Sequence, residues 1–390
     1  MIGTSMSSNT HLRQQFLLDP DVIYLNHGSF GACPRPVFEV YQAWQRQLER
    51  QPTEFLWRRL EEHLAPSRVA LGELLHTDPQ NLVFVPNATT GVNIVARSLD
   101  LSPGDEVLTT NHEYGAIDRT WRFLAGKCGL RYRNLELHDP VTTHEAFVDE
   151  FWGGVTADTR VISLSHITSP TALIFPVAEV CRRAREADIV TIIDGAHAPG
   201  QIDLDLEAIG ADFYTGNCHK WLCAPKGAAF LYARPELQDM LEPLVVSWGY
   251  ESEHPSGSTF QDYLGWVGTR DISAYLSIAA AIQFQSEHNW TGVRAECHQL
   301  VLQARARLLE LIGEPALLTS EPGPWLAQMV SARLPKRVDA DHFWKRLRED
   351  YRIEAPVRNW NGQPLLRVSV QGYNTADDID QLLSALKHLL

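Results

Sequence analysis

A chain of 390 residues, 44% hydrophobic and 21% charged, is long enough for a large domain and a smaller one with a sizeable core. Its 48 acidic residues outnumber 34 basic ones, giving a net charge of −14 with no basic cluster, which argues against a nucleic-acid partner. No apolar run approaches the ~20 residues that span a bilayer, and the polar segment 1–15 lacks a signal-peptide core, so a cytoplasmic protein with no membrane partner is expected. Six cysteines, at 33, 128, 181, 218, 223 and 297, show no disulfide-scaffold spacing. Cys218, His219 and Cys223 lie close together, but no second Cys/His cluster completes a tetrahedral site, so no metal is expected.

In chain order, 1–23 reads as an N-terminal arm, 24–270 as a large domain and 271–390 as a small C-terminal domain. From about 80 to 235, β-rich runs at 82–86, 106–110, 161–165, 189–194, 212–215 and 228–232 alternate with helical stretches near 90–99, 115–126, 143–153 and 177–187. That alternation predicts an α/β fold, a mostly parallel sheet sandwiched by helices, with ligands bound beyond the C-terminal strand ends. A Gly/Ser/Trp-rich stretch at 243–270 precedes helices at 272–288 and 292–312. The remainder alternates strand (325–334, 353–357, 365–370) and helix (341–350, 376–389), an α+β domain placed to close over the first.

Several motifs fall at the predicted strand ends. Asn87-Ala-Thr-Thr-Gly opens a helix with small and hydroxylated residues, which suits either an anion at a helix N-terminus or an ordinary cap by Thr89 or Thr90. No Gly-x-x-x-x-Gly-Lys or Gly-x-Gly-x-x-Gly accompanies it, so nucleotide loops lose support. Asn111-His-Glu-Tyr-Gly carries an aromatic ring that can stack on a flat cofactor or pack on its neighbours. The run Ser165-His-Ile-Thr-Ser-Pro-Thr offers hydroxyls and an imidazole, without the Gly-x-Ser-x-Gly elbow of a hydrolase.

Asp194 closes an apolar strand in Ile-Ile-Asp-Gly-Ala-His, and Lys220 follows 26 residues later in Asn-Cys-His-Lys-Trp. A lysine that does covalent chemistry must lose its proton, and an acid at a strand end can hold a protonated pyridine nitrogen. That pair is what a pyridoxal 5'-phosphate (PLP) enzyme needs, although a strand-end Asp and a surface Lys are also common by chance. Arg367, between apolar neighbours on a strand, needs an anionic partner, either a protein carboxylate or a substrate one.

Together these residues resemble the class V aminotransferase and cysteine desulfurase family of fold type I PLP enzymes, from about Tyr24 to the C-terminus and in the family's order. The resemblance implies a PLP aldimine at Lys220, with Asp194 on the pyridinium nitrogen and His197 near the phenolic oxygen. It implies phosphate binding by Thr89, Thr90 and His219 with the Ala88 backbone N–H, and a ring stacked on Tyr114. Arg367 would hold a substrate carboxylate with Ser169 beside it at the cofactor, and Asn26 and His27 would lie at the substrate. The active sites would sit at the interface of a homodimer, where Thr269 reaches the partner's cofactor. Two departures stand out. The loop Arg358-Asn-Trp-Asn-Gly-Gln-Pro lacks the desulfurase cysteine, and Asn217 replaces the family's serine at a phosphate contact.

The stretches Tyr24-Leu-Asn-His-Gly-Ser-Phe-Gly, Ser165-His-Ile-Thr-Ser-Pro-Thr and Phe260-Gln-Asp-Tyr-Leu-Gly-Trp-Val-Gly-Thr-Arg-Asp are similar to isopenicillin N epimerase-type proteins. The resemblance thus implies an enzyme that forms a quinonoid from a small amino acid, foremost an epimerase or racemase. C–S lyase and aminotransferase are the alternatives within the family. A non-catalytic PLP-fold binding protein and an α/β hydrolase are the alternatives outside that chemistry.

Overall fold

A computed structural model describes residues 12–313, 318–319 and 321–390; residues 1–11 of the expected N-terminal arm lie outside the described residues. Twelve strands are named here in chain order. They are β1 (Ile23–Tyr24), β2 (Leu82–Val85), β3 (Glu106–Thr110), β4 (Arg131–Leu135), β5 (Thr159–Ser165) and β6 (Val190–Asp194). After these come β7 (Phe213–Asn217), β8 (Ala229–Ala233), β9 (Met329–Arg333), β10 (Ile353–Glu354), β11 (Val357–Trp360) and β12 (Gln363–Ser369).

Seven strands form the central sheet in the order β2-β8-β7-β6-β5-β3-β4. Its pairs are parallel from β7 through β4, and β8 runs antiparallel to both of its neighbours. Strands β2, β3 and β7 are buried along their whole length, as strands covered on both faces must be, and their apolar side chains divide between two core clusters. Helices such as Ala88–Ser98, Gly115–Cys128 and Val177–Glu186 supply that cover with amphipathic faces. The fold is the expected one: a mostly parallel sheet between helices, followed by a small antiparallel sheet, β11-β12-β9, in the C-terminal part.

Strand register positions the site. Ser165 of β5 lies opposite Asp194 of β6, and Asp194 opposite Thr215 of β7, so three parallel strands end side by side. β1 pairs with β10, and Asn26 bridges to Ser369, which ties the segment before residue 30 to the C-terminal part of the chain.

Differences from the sequence expectation are local. β4 is an edge strand whose residues (Arg-Tyr-Arg-Asn-Leu) are all partly or fully exposed, so it carries no apolar run to reveal it. The segment expected as one strand over 353–357 splits into β10 and the start of β11, which turns back into β12 through Asn361 and Gly362 at φ 50° and 75°. Positive φ at both positions is the signature of a tight two-residue hairpin. No helix of the described residues is long and apolar enough to cross a membrane.

Candidate functional site

The carboxyl ends of β5, β6 and β7 gather the candidate residues. Asp194 is buried, and its Oδ1 accepts from Ala196 N at 2.9 Å. Among the described residues no hydrogen-bond donor reaches its other oxygen and no cation lies within ion-pair distance. Burial raises its pKa, against the lowering effect of the Ala196 N–H and Lys220. Such a carboxylate is ready to take a cationic N–H.

After β7 the chain folds tightly on itself: His219 N donates to Ala228 O at 3.0 Å and Ala224 N to Cys218 O at 3.0 Å. That loop presents Lys220, half-buried, with Nζ 3.2 Å from His197 Nε2. Burial lowers the Lys220 amine to about 7; Asp194 opposes that shift and Arg367 adds to it. A large share of the amine is therefore unprotonated near neutral pH, as a nucleophile requires.

His27 departs from its expected place at a substrate. Its ring is fully buried, Nε2 donates to the Lys220 carbonyl at 3.0 Å, and Nδ1 accepts from the Tyr373 hydroxyl at 2.9 Å. Both nitrogens are spent within the protein, so His27 holds the lysine's backbone. Asn26 is likewise buried, accepting from Ser29 Oγ at 2.5 Å and donating to Glu354 at 3.3 Å. Among the described residues its side chain connects to Arg367 through Ser29.

Arg367, on β12, is 7% exposed. Its Nη1 donates to Ser169 O at 2.6 Å and to Ser169 Oγ at 3.2 Å, and its Nη2 donates to Ser29 Oγ at 2.8 Å. Its Nε is buried without a partner. Burial and Arg358 lower its pKa to about 10, and the groups pulling the other way are Tyr24 and Tyr114. No carboxylate pairs with it among the described residues. A buried cation of this kind calls for an anion.

At the start of helix Ala88–Ser98 the capping residue is Asn87 rather than Thr89 or Thr90: its Oδ1 accepts from Thr90 N at 2.8 Å and Thr90 Oγ1 at 3.0 Å. The Ala88 N–H is not free for a phosphate, because it donates to Asn217 Oδ1 at 2.8 Å. That bond leaves Asn217 Nδ2 as the amide donor at this point. Gly91 lets the helix start close on β7, since a Cβ there would collide with the Thr215 side chain. His219 Nδ1 donates to Ala228 O at 2.9 Å, and burial with Lys220 lowers its pKa to about 4. Its Nε2 can donate to a phosphate only after gaining a proton. Tyr114 is 46% exposed at the N-terminus of helix Gly115–Cys128, and Thr269 is exposed on the loop after Thr259–Gly265.

These donors and acceptors fit PLP: a nucleophilic amine, a carboxylate with a free oxygen, and a helix N-terminus for the phosphate. Sequence reasoning missed Ser29, Trp221 and Glu113. The Trp221 indole N–H donates to His197 Nδ1 at 3.3 Å. Glu113 accepts from Thr110 Oγ1 at 2.7 Å and from the Ser165 backbone and hydroxyl at 2.8 and 2.6 Å. Burial raises its pKa to about 7. Its place within the quoted Asn-His-Glu-Tyr motif was the available signal.

Comparison with known proteins agrees with this geometry. The family model for aminotransferase class-V matches residues 34–382. The chain is 38% identical over 391 residues to the isopenicillin N epimerase of Streptomyces clavuligerus, covering 97% of each. It is 30% identical to a putative L-cysteine desulfhydrase of Oryza sativa subsp. japonica, covering 99% of this chain and 87% of that one. In fold it superposes on the apo cysteine desulfurase of Thermococcus onnurineus with a TM-score of 0.83 at 20% identity, covering 99% of each chain. It also superposes on a C-DES variant carrying glycine linked to its PLP cofactor, with a TM-score of 0.82 at 23% identity, covering 96% of this chain and 98% of that one. The chain belongs to the aminotransferase class-V family of pyridoxal phosphate-dependent enzymes.

Proposed function

We propose that this protein is an epimerase or racemase that removes and returns the α-proton of an amino acid, with Lys220 as the proton-handling base. The observation that supports an amino-acid substrate is Arg367, a buried guanidinium facing no carboxylate among the described residues and within electrostatic reach of the Lys220 amine. An amino acid's α-carboxylate answers that cation, and its Cα then lies near the amine that must act on it.

When bound, PLP supplies the electron-withdrawing ring that makes a Cα–H bond acidic. Lys220 would hold the cofactor and, once released, take the α-proton on Nζ. Asp194 would keep a proton on the ring nitrogen through its free oxygen. Thr89, Thr90, Asn217 and His219 would hold the phosphate, and Tyr114 would cover the ring. Thr269 would act from the partner subunit of a homodimer. Dimerisation is supported by an exposed apolar patch including Val246, Trp57 and Trp248, whose indoles meet edge to face at 6.2 Å.

Epimerisation is favoured because the epimerase relative is 38% identical against 30% for the desulfhydrase. C–S lyase chemistry is the second reading, supported by the desulfhydrase relatives. Persulfide-forming transfer loses support from the tight Asn361–Gly362 hairpin, which carries no cysteine. The test is an amino-acid panel offered to the purified enzyme. Loss of optical purity supports the epimerase, and pyruvate with a released thiol would replace it with the lyase.

A further inference from the structure

We propose that Trp221 locks His197 in the tautomer with its proton on Nε2, making His197 a fixed hydrogen-bond donor toward Lys220 and not a base. An indole N–H can only donate, so His197 Nδ1, 3.3 Å from Trp221 Nε1, must accept. The His197 ring is 2% exposed; burial, with Lys220, Arg367 and His27 adding to it, holds its pKa well below the usual value, so the ring is neutral. A neutral imidazole that accepts at Nδ1 carries its single proton on Nε2, and Nε2 lies 3.2 Å from Lys220 Nζ.

The partner's state follows. An ammonium has three donors and no acceptor, so it would set two N–H groups against each other. An unprotonated amine accepts. The lowering of the Lys220 amine by burial points the same way, with Asp194 opposing it and Arg367 reinforcing it.

Trp221 is held so that its N–H cannot turn away. It is fully buried, and a Cβ on Gly28 would lie 3.4 Å from its Cζ2. Its ring centroid is 4.9 Å from that of His27, and its carbonyl accepts from Gln285 Nε2 at 2.8 Å. Trp221 is thus a positioning residue that acts through His197. This inference deepens the proposed function in one respect: the N–H at Nε2 becomes the only proton His197 can offer to an acceptor on the cofactor.

The test is nitrogen NMR of full-length protein labelled at histidine, as purified and after cofactor removal, with His197→Gln assigning the signal. The expected result is the Nε2-protonated neutral tautomer in both forms throughout the pH range in which the protein stays folded. In Trp221→Phe, which keeps a ring but removes the N–H, the signal should shift toward a mixture of tautomers. In the cofactor-free protein, labelling of Lys220 by an amine-reactive reagent at neutral pH should also slow several-fold, because the free amine has lost its donor. An Nδ1-protonated His197 in the wild type, or a Trp221→Phe protein that folds and keeps the wild-type tautomer, would overturn the proposal. Should Trp221→Phe fail to fold, the wild-type tautomer decides alone. A purified protein without a visible cofactor band would sink the proposed function and leave this result standing.

Discussion

Arg367 donates to the backbone carbonyl of Ser169 at 2.6 Å, a neutral partner for a buried cation. With Ser29 on its other terminal nitrogen, the guanidinium is oriented but not neutralised. Arg367→Gln should therefore lower kcat/KM by about 10- to 100-fold, the value of one charge-assisted contact of roughly 1.5–3 kcal/mol. Steady-state kinetics check this, and unchanged kinetics would remove Arg367 from the substrate.

Lys220 and stability are linked with a definite sign. Its folded-state amine titrates at about 7 against an ordinary 10.5, so the folded protein binds fewer protons than the unfolded chain between those values. The destabilisation is full below about 7 and is relieved as pH rises to 10.5. Cofactor-free Lys220→Met should melt above the wild type at low pH, and the gap should close with rising pH. Thermal melts across that window measure it; a gap independent of pH would contradict the shift.

His27 bonds the Lys220 backbone, so its loss should register as instability. His27→Ala removes a fully buried ring with two hydrogen bonds and should cost about 3 kcal/mol by denaturant unfolding, with weaker cofactor retention. A variant of normal stability with only a raised KM would instead return His27 to the substrate.

Gly31 sits at φ 70°, where an added Cβ would strike the His219 carbonyl beside Lys220. Gly31→Ala should cost about 2 kcal/mol or more and loosen the lysine loop. Cofactor dissociation rate and unfolding free energy read both effects.

Much of the fold was legible because buried parallel strands announce themselves: β5 carries Val161, Ile162 and Leu164 before Ser165, and β6 carries Val190, Ile192 and Ile193 before Asp194. β4 was hidden because an exposed edge strand needs no apolar pattern. Helix Arg35–Arg50 lies before the strand–helix alternation, although its Val37, Tyr41, Trp44 and Leu48 recur at helical spacing, and helix Leu60–Leu75 contains Pro66, which interrupts its signal. At the site, Asp194 and Lys220 were visible as residue types in order. What Asn217 and His27 bond to depends on side-chain direction across segments far apart in sequence, which spacing does not encode. The Trp221–His197 tie escaped for that reason too.

The central claim is that Lys220 moves a proton at the substrate's Cα, and isotope exchange reads it directly. Purified enzyme in D2O should place deuterium at Cα of its amino-acid substrate while optical purity falls, and Lys220→Ala should do neither. Turnover that retains the original Cα–H, or exchange by Lys220→Ala at the wild-type rate, would contradict the account.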